Sequence, residues 1–133
     1  MGRILALDHG EARCGVAISD PSGTLATPLE AVERPETKRG MAALVRLVEA
    51  QEAERVIVGL PITLAGDESE QTERARTFAV RLGRRLSVPV DLHDERLTTR
   101  QAERSGGRSS ADSRAAAHLL ESYLARSEAR PAG

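Results

Sequence analysis

Three acidic residues, Asp8, Glu95 and Asp112, stand where strand ends and a helix start would present carboxylates at an edge of a sheet. Asp8 closes the apolar run 4–7, and Glu95 follows the apolar-rich run 88–93. If those strands run parallel, both side chains leave at the C-terminal edge, where ligands collect in such sheets. Asp112 opens a helical pattern in which Ala115, Ala116, Leu119, Leu120 and Tyr123 form an apolar face. Packing that face on the sheet would hold the acid over the same edge. Carboxylates without Cys or His partners are hard oxygen ligands, the set that suits Mg2+ or Mn2+ rather than zinc. One or two such ions activate water and stabilise the leaving oxygen of a phosphodiester, so this set points to a nuclease. Each acid also has a structural alternative: Asp112 as a helix N-cap, Glu95 as the partner of Arg96 or Arg100, and Asp8 as a turn residue.

Around the first acid, the spacing Asp8-x-Gly10-x-x-Arg13-x-Gly15 puts flexible backbone beside a possible metal or phosphate. The same strand-turn-strand opens sugar kinases and actin-like ATPases, but those need a second large domain that 133 residues do not provide. Arg96, Arg100 and Arg104 recur every four residues, one basic stripe if the segment is helical; phosphate binding and a solvated face are both open. His9, His93 and His118 lack metal-ligand spacing and read as structural, His9 standing apart because it adjoins Asp8. Cys14 reads as a small core residue.

The elements that must position these groups follow from periodicity. Runs 4–7 and 14–19 form a β-hairpin across the turn at Gly10, and 24–32 is a third strand that Pro28 confines to an edge or a bulge. Met41, Leu44, Val45, Leu47 and Val48 mark a helix, residues 56–61 a buried strand stopped by Pro61, and Thr72 through Leu86 a long helix. Residues 88–93 are the last strand, and a final helix runs from about 112 to 125. Strands alternating with helices imply parallel pairing after the antiparallel hairpin. The expected architecture is α/β: a mixed five-stranded sheet with helices on both faces, as one domain over 1–126 with a frayed tail at 127–133.

Composition narrows the partners. Aromatic residues are 2% of the chain and the net charge is -1, which argues against base-stacking platforms and against coating nucleic acid by bulk charge. Contacts to nucleic acid must be local. Only Lys38 among the 19 basic residues is a lysine, and the guanidinium of the rest suits bidentate phosphate contacts. One cysteine, no signal-like start and no run of membrane-spanning length read as a soluble cytoplasmic chain with no membrane partner.

Four blocks carry a more specific likeness: residues 7–20 (Leu7-Asp8-His9-Gly10 through Asp20), 56–61 (ending Gly59-Leu60-Pro61), 92–99 (Asp94-Glu95-Arg96-Leu97-Thr98-Thr99 at its end) and 112–116. In order and spacing they resemble the YqgF family of Holliday-junction-resolvase-like, ribosomal-RNA-processing nucleases. The resemblance implies an RNase H-like three-layer fold and a catalytic, metal-binding triad of Asp8, Glu95 and Asp112. It also implies contacts to nucleic acid at Gly10, Arg13, Arg96, Thr98 and Arg100, and a role in maturing pre-16S rRNA, with branched DNA as the other candidate substrate. Monomer and homodimer are both compatible, although symmetric junction cutting requires a dimer. Two departures stand out: Ala12 replaces a lysine usual in the family, and the segment between Thr99 and Asp112 is short and glycine-rich. They imply a weaker grip on substrate and keep open a noncatalytic RNA-binding module as the alternative function.

Overall fold

The computed structural model describes residues 2–63, 65–95 and 111–129. The elements follow one another as β1 (Arg3–Asp8), β2 (Arg13–Ser19), β3 (Ala26–Glu33), α1 (Lys38–Ala50), β4 (Ala53–Leu60), α2 (Glu70–Gly83), β5 (Val90–Asp94) and α3 (Ala111–Ala129). The five strands make one mixed sheet in the order β3-β2-β1-β4-β5. β1 and β2 are the antiparallel hairpin, and β3 adds to β2 antiparallel. β4 pairs parallel with β1 and β5 parallel with β4. This is the architecture expected from the sequence, including the edge position of β3, where Pro28 lies opposite Ala17. A residue without an N–H loses nothing on the outer side of an edge strand.

Side chains alternate between two cores. Leu5, Leu7, Val16, Ile18, Val56 and Val58 pack with Met41, Leu44, Phe78 and Leu82 of α1 and α2. Ala6, Ala17 and Ile57 face Ala116, Ala117, Leu119, Leu120 and Leu124 of α3. The result is three layers: two helices, the sheet, one helix. Burying each large aliphatic side chain contributes about 1.5–3 kcal/mol before the conformational-entropy cost.

Helix starts are set by side-chain caps. The Thr37 hydroxyl accepts from Gly40 N at 3.0 Å, and Ser69 forms a capping box with Thr72 at the start of α2. Three boundaries differ from expectation by three residues or more. β4 begins at Ala53, three residues before the expected Val56, as its register with β1 extends the pairing backward. α2 stops at Gly83 rather than at Leu86; glycine is a poor helix former, and Leu86 still packs against the larger core from outside the helix. α3 reaches Ala129, past the expected end near Ala125 and into the segment read as a tail.

Candidate active site

β1 and β4 run parallel, so Asp8 and Leu60 end at the same edge as Asp94 of β5. Within β1, Leu5 and Leu7 belong to the core under α1 and α2 and Ala6 to the core under α3. Alternation therefore puts Asp8 on the α3 face. Gly15 is its cross-strand partner, and Gly59 of β4 occupies the next position on the parallel side, one beyond the Leu7–Val58 pair. Both glycines are buried.

Those two glycines make the site possible. A β-carbon on Gly15 would fall 1.9 Å from the carbonyl oxygen of Asp112 and 2.8 Å from the nitrogen of Ser113. The first turn of α3 thus lies directly on the backbone of β2. A β-carbon on Gly59 would come within 3.1 Å of Glu95 Cγ and 3.2 Å of its Oε2, so the Glu95 carboxylate reaches over the space that Gly59 leaves. Asp8, Glu95 and Asp112 accordingly share one edge and one face. The charges of Asp8 and Asp112 are also legible in Cys14, which burial first, and then these two carboxylates, push far above the ordinary thiol range. Among the described residues, however, no group of three or more His, Cys, Asp or Glu closes to metal-holding distance.

Asp112 is not the helix cap. It lies within the first turn of α3, where a carboxylate is favoured by the helix dipole, and its side chain is 43% exposed with Oδ2 3.9 Å from Arg13 Nε. The buried face of α3 also differs from the one expected: Ala115 is exposed, while Ser113, Ala116, Ala117, Leu120 and Leu124 are buried. Ser113, not Asp112, is what the helix turns toward the sheet. Its hydroxyl accepts from Val16 N at 3.2 Å, opposite an irregularity in β2–β3 pairing between Cys14 and Val16. An irregular register interrupts the ladder hydrogen bonds, and a buried serine supplies an acceptor.

Arg13 opens β2 with its guanidinium between Glu33 at 3.8 Å and Asp112 at 3.9 Å. Gly10 is required by its own turn, since a β-carbon there would sit 2.7 Å from the Arg13 carbonyl oxygen. Arg96, Thr98, Arg100 and Arg104 lie outside the described residues.

Sequence reasoning assigned no structural role to Gly59 or Ser113 and did not find the anchoring of His9. Gly59 had a signal, a gap in the apolar face it shares with Ile57. His93 is buried, with Nε2 3.1 Å from Ser122 Oγ and its ring edge-on to Tyr123 at 5.6 Å, which ties β5 to α3 just before Glu95. Burial lowers the pKa of both His9 and His93, against the opposing pull of Glu36 on the first and Asp94 on the second. His118 pairs with Glu121 at 3.2 Å on α3.

A carboxylate-edged α/β sheet with this strand order defines a class. The fold matches RuvC of Thermus thermophilus solved with a Holliday junction substrate: the TM-score is 0.62 at 17% identity, over 96% of this chain and 97% of that one. Residues 2–126 match the family described as RuvX: Holliday junction resolvase. Relatives described as "Putative pre-16S rRNA nuclease" include one from Koribacter versatilis, 44% identical over 103 residues, covering 77% of this chain and 67% of the relative. Another, from Chloroflexus aurantiacus, is 47% identical over 100 residues, covering 75% and 65%. A third, from Rhodococcus erythropolis, is 43% identical across 92% of this chain and 77% of the relative. The chain belongs to the RuvX, or YqgF, family, which both descriptions make a family of nucleases.

Proposed function

We propose that this chain is a divalent-metal-dependent nuclease that hydrolyses phosphodiester bonds in structured RNA, in the manner of 5′-end processing of pre-16S rRNA. The reading rests on one observation: Gly15 and Gly59 clear the ground around Asp8, so that the α3 backbone at Asp112 and the Glu95 side chain close over the cleared positions. The donor set fits a hard cation, because it is all carboxylate oxygen and bordered by backbone without side chains. Asp8, Glu95 and Asp112 would hold Mg2+ or Mn2+, which when bound lowers the pKa of water and offsets charge developing on the phosphodiester.

The chain's own residues do the rest. Asp8 is held by a strand paired on both sides. The first turn of α3 lies against β2 at the same edge, and the positive end of a helix dipole favours a phosphate. Arg13, half exposed beside Asp112, offers a planar donor pair to a phosphate oxygen. The two glycines make room for the first turn of α3 and for the Glu95 side chain beside Asp8. A cytoplasmic location goes with the ribosomal substrate, and no helix among the described residues is long and apolar enough to cross a membrane. Branched DNA is the competing substrate, and the one named with the Thermus structure. A noncatalytic RNA-binding role is favoured by Ala12, which removes a phosphate-binding side chain beside Arg13.

The test incubates labelled structured rRNA precursor, single-stranded DNA and four-way junctions with the protein in Mg2+, Mn2+ or EDTA, beside Asp8→Asn and Asp112→Asn. RNA cleavage is expected in either cation and not in EDTA. Each variant should lose about a thousandfold, the rate equivalent of several kcal/mol of metal-borne stabilisation. Junction cutting alone would reassign the substrate to DNA. RNA binding with no cleavage under any condition would establish the noncatalytic role.

A further inference from the structure

The turn carrying Asp8 is tied down from the side of the sheet opposite the site. His9 follows Asp8, so its side chain goes to the α1 and α2 side, where only 3% of it remains exposed. Its ring packs on Phe78 with centroids 4.5 Å apart and planes tilted by 30°. Nε2 lies 2.9 Å from Glu36 Oε2. Glu36 is itself fixed: it precedes Thr37, the cap of α1, and its carbonyl accepts from Arg81 of α2 at 3.2 Å. Two further ties hold the same turn, Arg34 N–H to the Ala12 carbonyl at 2.9 Å and Arg74 to Glu11 at 3.2 Å.

Space-filling alone is a poor account of this residue. With Nε2–H donated to Glu36, the other ring nitrogen, Nδ1, is a buried acceptor with no hydrogen-bond partner among the described residues. A phenylalanine would pack on Phe78 without that cost, because an unpaired buried polar atom is destabilising. What histidine adds is a directed bond from the residue next to Asp8 to the frame between α1 and α2.

We propose that His9 is a positioning residue: by stacking on Phe78 and bonding to Glu36 it fixes the turn after β1, and with it the carboxylate of Asp8. The inference rests on the nuclease reading for its consequence, not for its geometry. A carboxylate on a loose turn spends little time in a coordinating position, and groups that orient metal ligands typically affect metal affinity or activity by 10–100-fold.

The experiment compares His9→Phe, Glu36→Ala and Glu36→Gln. Mn2+ affinity is measured by titration, cleavage at saturating and at limiting substrate, and amide hydrogen exchange at Gly10 and Glu11 in metal-free protein. His9→Phe keeps the ring stack and loses the directed bond. It and Glu36→Ala should weaken Mn2+ binding and kcat by about tenfold or more, leave KM for the nucleic acid within about twofold, and speed exchange in the turn by about tenfold. Glu36→Gln, which still offers an oxygen to the ring, should stay close to wild type. A fall in melting temperature with unchanged Mn2+ affinity, kcat and exchange would overturn the proposal and make His9 a packing residue. If wild type neither binds Mn2+ nor cleaves, the nuclease reading fails separately; exchange in the turn then decides, and a rate within twofold of wild type in His9→Phe ends the positioning role. Should His9→Phe not fold, the Glu36 pair carries the same comparison.

Discussion

The two faces of the sheet are packed with different materials. Under α1 and α2 lie Leu5, Leu7, Val16, Ile18, Met41, Leu44, Val56, Val58, Phe78 and Leu82. Under α3 the sheet offers Ala6, Ala17 and the bare positions Gly15 and Gly59, and the helix answers with Ala116 and Ala117 beside its leucines. Bulky side chains keep α1 and α2 at a distance and bury most apolar surface there. Small ones bring the start of α3 onto the strand backbone. Stability is thus concentrated on one face, and the placement of acidic groups on the other.

The contrast can be broken most severely at Leu44, fully buried in the thicker core. Leu44→Ala should cost about 2–5 kcal/mol of stability, read as a shift of the urea midpoint with unchanged slope. Its cleavage rate per folded molecule should match wild type; a large loss there would mean that the thick face reaches the chemistry.

A smaller energetic effect, with a larger functional one, is expected at Gly15. Because a β-carbon would stand 1.9 Å from the Asp112 carbonyl oxygen, Gly15→Ala must push the first turn of α3 away from the sheet. An overpacked contact of this kind costs about 1–3 kcal/mol, and cleavage should fall by about a hundredfold, as for a misplaced catalytic group. Wild-type cleavage in this variant would separate the Asp112 position from the site.

The smallest effect belongs to neither face. Asp20 sits in the β2–β3 turn, at the sheet edge opposite the site, where Oδ1 accepts from Thr24 N at 2.7 Å and Leu25 N at 2.9 Å. The Ser22 hydroxyl first, and these N–H groups after it, bring its pKa down to about 2 from 3.8. The folded value is the lower one, so the unfolded chain takes up protons first and the contribution to stability is present above 3.8 and lost as pH falls through about 2. The melting-temperature gap between wild type and Asp20→Asn should therefore be steady near neutrality and narrow in strong acid. Cleavage should be untouched. A gap that widens on acidification would contradict the depressed pKa.

Particular residues show which parts of this were legible beforehand. The strands β1 and β4 were visible as continuous apolar runs because strands covered on both faces have no polar side to expose, whereas the edge strand β5, with Leu92 exposed, showed only as an apolar-rich stretch. Pro28 announced an edge for the same kind of local reason, a missing donor. The phase of α3 was not legible: Ala115, Ala116 and Ala117 are alike in sequence, yet the first is exposed and the other two are buried. A run of identical small residues carries no periodic contrast, so the helix could be rotated either way on the page. That rotation exchanges Asp112 for Ser113 as the residue against the sheet. The place of Asp8 at the end of a strand was legible, whereas the room that Gly59 leaves for Glu95 needed the register of β4 against β1 and the course of the chain to Glu95.

Sequence alone determined the order of elements, the parallel half of the sheet and the three acids worth watching, because these depend on local periodicity and residue chemistry. Tertiary structure decided how closely the start of α3 and the Glu95 side chain approach the sheet, since that depends on which side chains are missing opposite them: Gly15 beneath the Asp112 backbone and Gly59 beneath Glu95. It also decided what holds Asp8 from behind, for the contact of His9 with Glu36 and Phe78 joins residues 27 and 69 positions away, a separation no local pattern encodes.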